Sequence, residues 1–221
     1  MLRSANSSAI ARGIGSKFTF READIAKQPL RGTYDVVIAN QCLHHFVALE
    51  AIFDKIYASL IRGGLFLTSD VIGRNGHQLW PEALVEVESI WNRLADKYKY
   101  DKTQGKVSRR FINYNHANVG FEGIRAQDVL PLLVERFEFE VFAPYACIIM
   151  PFVERRFGWN FDRENETDRK FIDEVTARDE VLLASGKVKP TQLLARMSNV
   201  PPSSLITTAK VSIRDCVRTP G

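Results

Sequence analysis

Tyr34-Asp35-Val36-Val37-Ile38-Ala39-Asn40-Gln41-Cys42-Leu43-His44-His45-Phe46 is the stretch on which the reading of this chain turns. Tyr34 to Ala39 is a nearly continuous apolar run, as expected of a strand buried on both faces of a parallel sheet. Polar groups follow at once: Asn40, Gln41, His44 and His45. In open parallel sheets, ligands lie in the crevice at the carboxyl ends of the strands. These four side chains are therefore placed to face a ligand. The local alternative is that Asn40 caps a turn and the histidines cap the next helix.

Working outward, Ala48 to Leu60 carries Leu49, Ile52, Phe53, Ile56, Tyr57 and Leu60 at helical spacing. Arg62-Gly63-Gly64 reads as the stop of that helix, because glycine supplies the positive dihedrals of a helix-to-strand turn. Leu65 to Val71 is the next buried strand, so strand, helix and strand follow one another in the βαβ order of an α/β domain. Upstream, Lys17 to Glu22 alternates and is rich in Phe, which predicts a short strand ended by Asp24. Met1 to Phe20 carries Arg3, Arg12, Lys17 and several Ser with no acid before Glu22, which imitates a mitochondrial transit peptide; the competing reading is a helix, Leu2 to Arg12. It runs straight into the folded pattern without a spacer, so a helix closed by Gly13 is the better reading. Gly13-Ile14-Gly15 precedes a strand rather than following one, the wrong context for a phosphate- or cofactor-cradling loop.

Downstream, Trp80 to Tyr98 and Arg125 to Arg136 have helical spacing, and Phe137 to Phe142 alternates as a strand. Phe152 to Gly186 is polar, with a helix at Arg169 to Ala184, and Thr191 to Met197 is a last short strand. Residues 1–199 form one domain and 200–221 a tail, in which Ser204 to Val217 is either a strand or irregular.

The bulk composition is that of an ordinary globular chain: 221 residues, 45% hydrophobic and 25% charged. No run approaches the roughly 18–20 apolar residues of a membrane span. The net charge of +4 comes from Lys and Arg scattered among acids, which predicts a solvated surface and not a nucleic-acid footprint. A local basic segment, Lys102 to Arg110, reads as a surface loop. Cys42, Cys147 and Cys216 form no CxxC pair and are odd in number, so neither a disulfide framework nor a zinc site is indicated. A reducing, cytoplasmic compartment fits best.

Phe20 to Val71 resembles the middle of the class I S-adenosylmethionine-dependent methyltransferases. In that family the third strand ends in an acid, matched by Asp24. The fourth strand reads like Asp35 to Phe46, and a Gly-Gly turn leads to the fifth strand, matched by Gly63-Gly64 and Leu65 to Asp70. The family often has Pro before that Gly pair, where this chain has Arg62. The family sheet ends in an antiparallel sixth–seventh strand pair, for which Phe137–Phe142 and Thr191–Met197 are the candidates. The implied fold is an α/β, Rossmann-like methyltransferase sheet lacking its first two strands, with helical insertions.

The resemblance implies S-adenosyl-L-methionine as cofactor and a small molecule or glycan as substrate. Asp24 would accept from the adenine amino group, and the Ile25 amide would meet a ring nitrogen. Asn40 and Gln41 would line the methionine part. One of His44 and His45 would approach the substrate side; His45 is assigned as general base and His44 to the cofactor set. Trp80, Trp91, Tyr98 and Tyr100 lie where a substrate cover could form, although aromatics at helical spacing are more often core.

The family's glycine-rich loop and its ribose-binding acid follow the first and second strands, and neither is visible before Lys17. The expectation is an amino-terminally truncated domain. Each hydrogen bond to a charged group contributes roughly 1.5–3 kcal/mol, so two or three fewer remove about 3–9 kcal/mol. That is at least about a hundredfold in affinity. Asp35 to Asn40 would also form an apolar sheet edge, an aggregation hazard unless a second copy or a partner covers it. The alternative function is a non-catalytic remnant acting as a binding or subunit partner. A dehydrogenase is disfavoured by the antiparallel ending and the L-H-H-F segment.

Overall fold

The computed structural model of the chain describes residues 2–208 and 210–218. Helix α1, Leu2–Ala11, ends where Gly13 takes φ +69°. The strand expected at Lys17 to Glu22 does not form. Gly15–Lys17 is a 3-10 turn, and the chain after it pairs with no strand among the described residues. Phe18 and Phe20 are exposed and stack on each other at 6.1 Å. Alternation makes a strand only where one face can be buried, and here neither Phe finds a surface to bury against.

Strand β1, Tyr34–Asn40, runs parallel to β2, Leu60–Val71. Helix α2, Leu49–Ser59, crosses between them and buries Leu49, Ile52, Phe53 and Ile56. The expected helix stop at Gly63-Gly64 is corrected. The helix already ends at Ser59, and the two glycines lie inside β2, where the β1–β2 register slips between Tyr34↔Leu60 and Val36↔Leu65. Gly63 has φ +74°, and a Cβ on Gly64 would meet the carbonyl oxygens of Ile61 and Tyr34 at 3.0 and 3.1 Å. The pair serves a bulge, where close backbone approach requires glycine.

Helix α3, Pro81–Arg93, precedes a small hairpin of β3, Tyr100–Asp101, and β4, Lys106–Val107. Helix α4 spans Ala126–Arg136 and strand β5 spans Glu138–Tyr145. Two further helices follow, α5 at Met150–Val153 and α6 at Glu166–Ala184. The chain then forms β6, Gln192–Ser198, the short β7, Ile206–Thr207, and helix α7, Ile213–Cys216. The region read as strand or tail therefore holds a short strand and a helix closed by a Ser212–Asp215 capping box.

The sheet order is β1-β2-β6-β5-β7. Strand β6 is inserted antiparallel between β2 and β5, so the expected antiparallel pair is present, with Glu138↔Ser198 through Tyr145↔Gln192. Strand β1 is the sheet edge. It was expected to be buried on both faces, yet Ile38 is 69% exposed and Val36 43%. An apolar run reports what a strand can bury, and the neighbours decide what it does bury.

The core gathers Phe53, Phe66 and Phe137, with ring centroids 5.1–6.4 Å apart. A second group centres on Trp91, which is fully buried against Phe111, Phe152 and Phe157 and donates from Nε1 to the Ser108 carbonyl at 3.0 Å. Tyr98 stacks on Phe161 and donates to Asp168, and Trp80 lies under the Arg218 guanidinium. Trp80, Trp91 and Tyr98 are thus packed in the fold, whereas Tyr100 is 43% exposed. Among the described residues no helix is long and apolar enough to cross a membrane.

Candidate functional site

The site is built where β1 and β2 end side by side. Past Asn40, Gln41 takes φ +49° and donates its amide to the Ser69 carbonyl at 2.8 Å. A non-glycine residue in this region is strained by roughly 1–3 kcal/mol and persists only where its surroundings hold it. The turn carries the chain across the end of β2 and aims its next amides at Asp70. Cys42 and Leu43 donate to Asp70 Oδ2 at 2.8 Å each, and His44 donates its amide to Oδ1 at 3.4 Å. The His44 ring lies with Nδ1 2.5 Å from the same Oδ1.

Asp70 has no exposed surface. Burial pushes its carboxyl pKa up, but hydrogen bonds from the His44 ring and the Leu43 and Cys42 amides outweigh that and hold it below the usual carboxylate range. An ionised carboxylate only accepts, so the His44 Nδ1 donates, and the lone pair of the neutral ring is on Nε2.

His44 Nε2 points towards two segments that join the site from loops. The first is the 3-10 turn Asn75–His77, where Gly76 has φ +69° and His77 φ +57°. The second runs from His116 to Gly123. Gly76 donates its amide to the Gly123 carbonyl at 2.8 Å, and Asn75 and Gln127 exchange side-chain-to-amide bonds at 3.4 and 3.1 Å. A Cβ on Gly123 would lie 2.4 Å from His77 Cδ2, so only glycine there admits the His77 ring.

Glu122 sits among the rings. Its Oε1 is 3.4 Å from His77 Nε2 and 3.8 Å from His44 Nε2, and its Oε2 is 3.7 Å from His45 Nδ1. His77 and His116 meet edge to face at 5.9 Å. All 4 histidines of the chain thus stand in one constellation. Burial, then the neighbouring His44, pushes His77 down to about 4, so its ring is neutral near pH 7. Burial, then Arg156, also pushes His116 down.

A cavity of about 540 Å³ opens beside this group. Gln41, His77, His116, Glu122, Phe111 and Tyr145 are among the residues that line it. It has the size and the mixed polar and apolar lining of a small-molecule site.

The residues singled out from sequence divide into two groups. Asn40, Gln41, His44 and His45 come together at the end of β1. Asp24 and Ile25 do not line the cavity. Asp24 closes its own turn, accepting the Ala26 amide at 3.1 Å and pairing with Lys27 at 3.0 Å. The Ile25 carbonyl accepts from Lys55 Nζ at 2.9 Å. Asp70, His77, His116 and Glu122 were not foreseen. Asp70 carried one signal, its place at a strand's carboxyl end. The others come from a polar loop stretch with no period to read.

Residues 1–68 match the family model described as a methyltransferase domain. No curated protein matches the chain. Among solved structures, an O-methyltransferase from a trans-AT polyketide synthase multienzyme of Brevibacillus brevis, in complex with S-adenosyl-L-homocysteine, is similar. The match has a TM-score of 0.47 and 12% identity, and covers 90% of this chain and 55% of that one. Geranyl diphosphate methyltransferase in complex with SAM gives a TM-score of 0.47 and 14% identity, over 90% and 64% of the two chains. StiE O-MT residues 942–1257 give 0.46 and 13%, over 96% and 65%. The chain spans less than two thirds of the length of each of these.

Proposed function

We propose that this chain, whose residues 1–68 match the methyltransferase-domain family model, is a class I S-adenosyl-L-methionine-dependent methyltransferase acting on a small molecule or glycan. The observation that carries the reading is positional. The matched residues take in β1, its end from Asn40 to His45, and β2 as far as Thr68, two residues short of Asp70, on which the His44 ring is held. The side chains suit a nucleoside and an amino acid. Asn40 is exposed at the end of β1, Gln41 lines the cavity, and the Asp24 carboxylate is half exposed. In this reading Asp24 and the Ile25 amide hold the adenine, and Asn40, Gln41 and His44 flank the methionine part.

Bound S-adenosyl-L-methionine supplies an electrophilic methyl group on sulfur. The protein's task is then alignment and the removal of one proton. His45 is the proton acceptor in this reading. Its Nδ1 lies 3.3 Å from the Phe121 carbonyl, which accepts the Nδ1 proton and leaves the Nε2 lone pair for the acceptor's oxygen or nitrogen. The apolar edge of β1, with Val36 and Ile38 exposed, supports the further view that a second copy or a partner covers it.

These 221 residues are expected to bind the cofactor weakly. Saturation-transfer NMR with S-adenosylhomocysteine should show contact at its adenine and methionine protons, and calorimetry should give a dissociation constant weaker than micromolar. Absence of any transfer, with AMP as the comparison nucleotide, would sink the methyltransferase reading. Micromolar binding would overturn the weak-affinity part alone.

A further inference from the structure

We propose that His44 Nε2, His77 Nε2 and the Glu122 carboxylate form a binding site for one divalent transition-metal cation, of the class that includes Zn²⁺, at the inner end of the cavity. The three side chains each offer one ligand atom, and these atoms lie within 4.8 Å of one another. Two of the spacings are 3.4 and 3.8 Å. Ligands about 2.0–2.2 Å from a tetrahedral cation stand roughly 3.3–3.6 Å apart, so small side-chain shifts close the set.

Three independent features point the same way. The first is the support of His44. A metal-binding histidine usually donates its other ring nitrogen to a carboxylate, which fixes the tautomer and the ring. His44 does this to Asp70, and Asp70 is in turn held by the Cys42 and Leu43 amides.

The second is His77. Its Nε2 is buried and makes no hydrogen bond. A buried polar atom left unpaired is costly, and a cation is the partner that two histidines and a carboxylate can share. The third is the backbone. His77 is held at φ +57° over a glycine whose Cβ would collide with its ring. Strain of this kind marks a position the surroundings enforce.

The ligand chemistry narrows the cation. Imidazole and carboxylate donors suit zinc, cobalt, manganese or iron(II), whereas magnesium and calcium take all-oxygen shells. Three protein ligands leave a fourth position open, as in catalytic and not structural sites. His77 and Glu122 both line the cavity, so that position faces it. If the methyl-transfer reading holds, an oxygen of the acceptor takes the open position, and His45 lies beside it on the other oxygen of Glu122. The cation site itself does not depend on that reading. It uses no cysteine, so the cysteine spacing that pointed away from zinc is no objection.

The test uses the metal alone. The chain is freed of metal with a chelator, then titrated with Zn²⁺ by calorimetry and with Co²⁺ by visible absorption. One equivalent should bind, and Co²⁺ should give the ligand-field bands of a four-coordinate centre. Loss of outer-shell support already costs about 10–100-fold in metal affinity, so loss of a ligand should cost at least about tenfold. His77→Asn keeps a residue that tolerates the left-handed backbone, and Glu122→Gln changes a half-exposed side chain, so both variants should remain folded by circular dichroism. Absence of stoichiometric binding would overturn the proposal, as would binding that survives both His77→Asn and Glu122→Gln. Cofactor binding by S-adenosylhomocysteine, measured separately, decides the other reading.

Discussion

Asp70→Ala is expected to cost about 3–5 kcal/mol of folding stability, the scale of breaking a buried charged network by removing one member. The carboxylate accepts the Cys42 and Leu43 amides at 2.8 Å and the His44 ring at 2.5 Å, with no exposed surface. Alanine would leave those donors facing a dry void. Each unsatisfied buried group costs about 1–3 kcal/mol. Asp70→Asn keeps the shape and one accepting oxygen but turns an NH₂ group towards donors, so it should cost less than alanine and still lose more than about 1 kcal/mol. Urea denaturation of the three proteins measures this, and a loss below about 1 kcal/mol for alanine would show that the strand ends are held otherwise.

The same network predicts acid lability. The folded pKa of Asp70 lies below its unfolded value. Its contribution is therefore fully present above the unfolded carboxylate value of about 4, and is lost as pH falls through the folded one. The Asp70→Asn variant should lose less stability than the parent as pH falls below about 4.

Asp70 also shows how far the sequence could be read. The order of helices and strands from Tyr34 to Met197 was legible because each element has a clear period and buries one face. The antiparallel pairing of β5 and β6 followed from the family pattern. Lys17 to Glu22 failed because period 2 proposes a strand without supplying a neighbour. Gly63-Gly64 were recognised as conformationally special, but the reason was a bulge inside β2 and not the end of α2.

The site was half legible on the same grounds. Asn40 to His45 follow one strand, so a local rule finds them. His77 and Glu122 reach the site through bonds between distant loops, Gly76 to Gly123 and Asn75 to Gln127. No spacing along the chain records such a meeting. A count of histidines offered the only hint: all 4 meet ring to ring, and two of them, His77 and His116, line the cavity.

A second carboxylate repeats this device at the turn after β5, and its removal should be as costly. Asp179 Oδ1 accepts three successive amides, Cys147 at 2.8 Å, Ile148 at 2.5 Å and Ile149 at 2.9 Å. Its signal lay in α6, where Val175, Asp179, Leu182 and Leu183 share the buried face. An acid in such a stripe must be satisfied from a neighbouring element. The partner is the turn after β5, opened by Ala146 at φ +59°, whose carbonyl accepts both the amide and the hydroxyl of Thr191. That turn joins Tyr145 to Met150, and both line the cavity. Asp179→Ala is expected to cost about 3–5 kcal/mol, and Asp179→Asn, which still accepts through its carbonyl oxygen, about 1–3 kcal/mol. Denaturant midpoints measure the loss. Hydrogen exchange locates it, since the Cys147, Ile148 and Ile149 amides should lose protection before the β5–β6 ladder does. If those three amides stay as protected in Asp179→Ala as in the parent, the turn is held by the Thr191 bonds alone, and the role given to Asp179 is wrong.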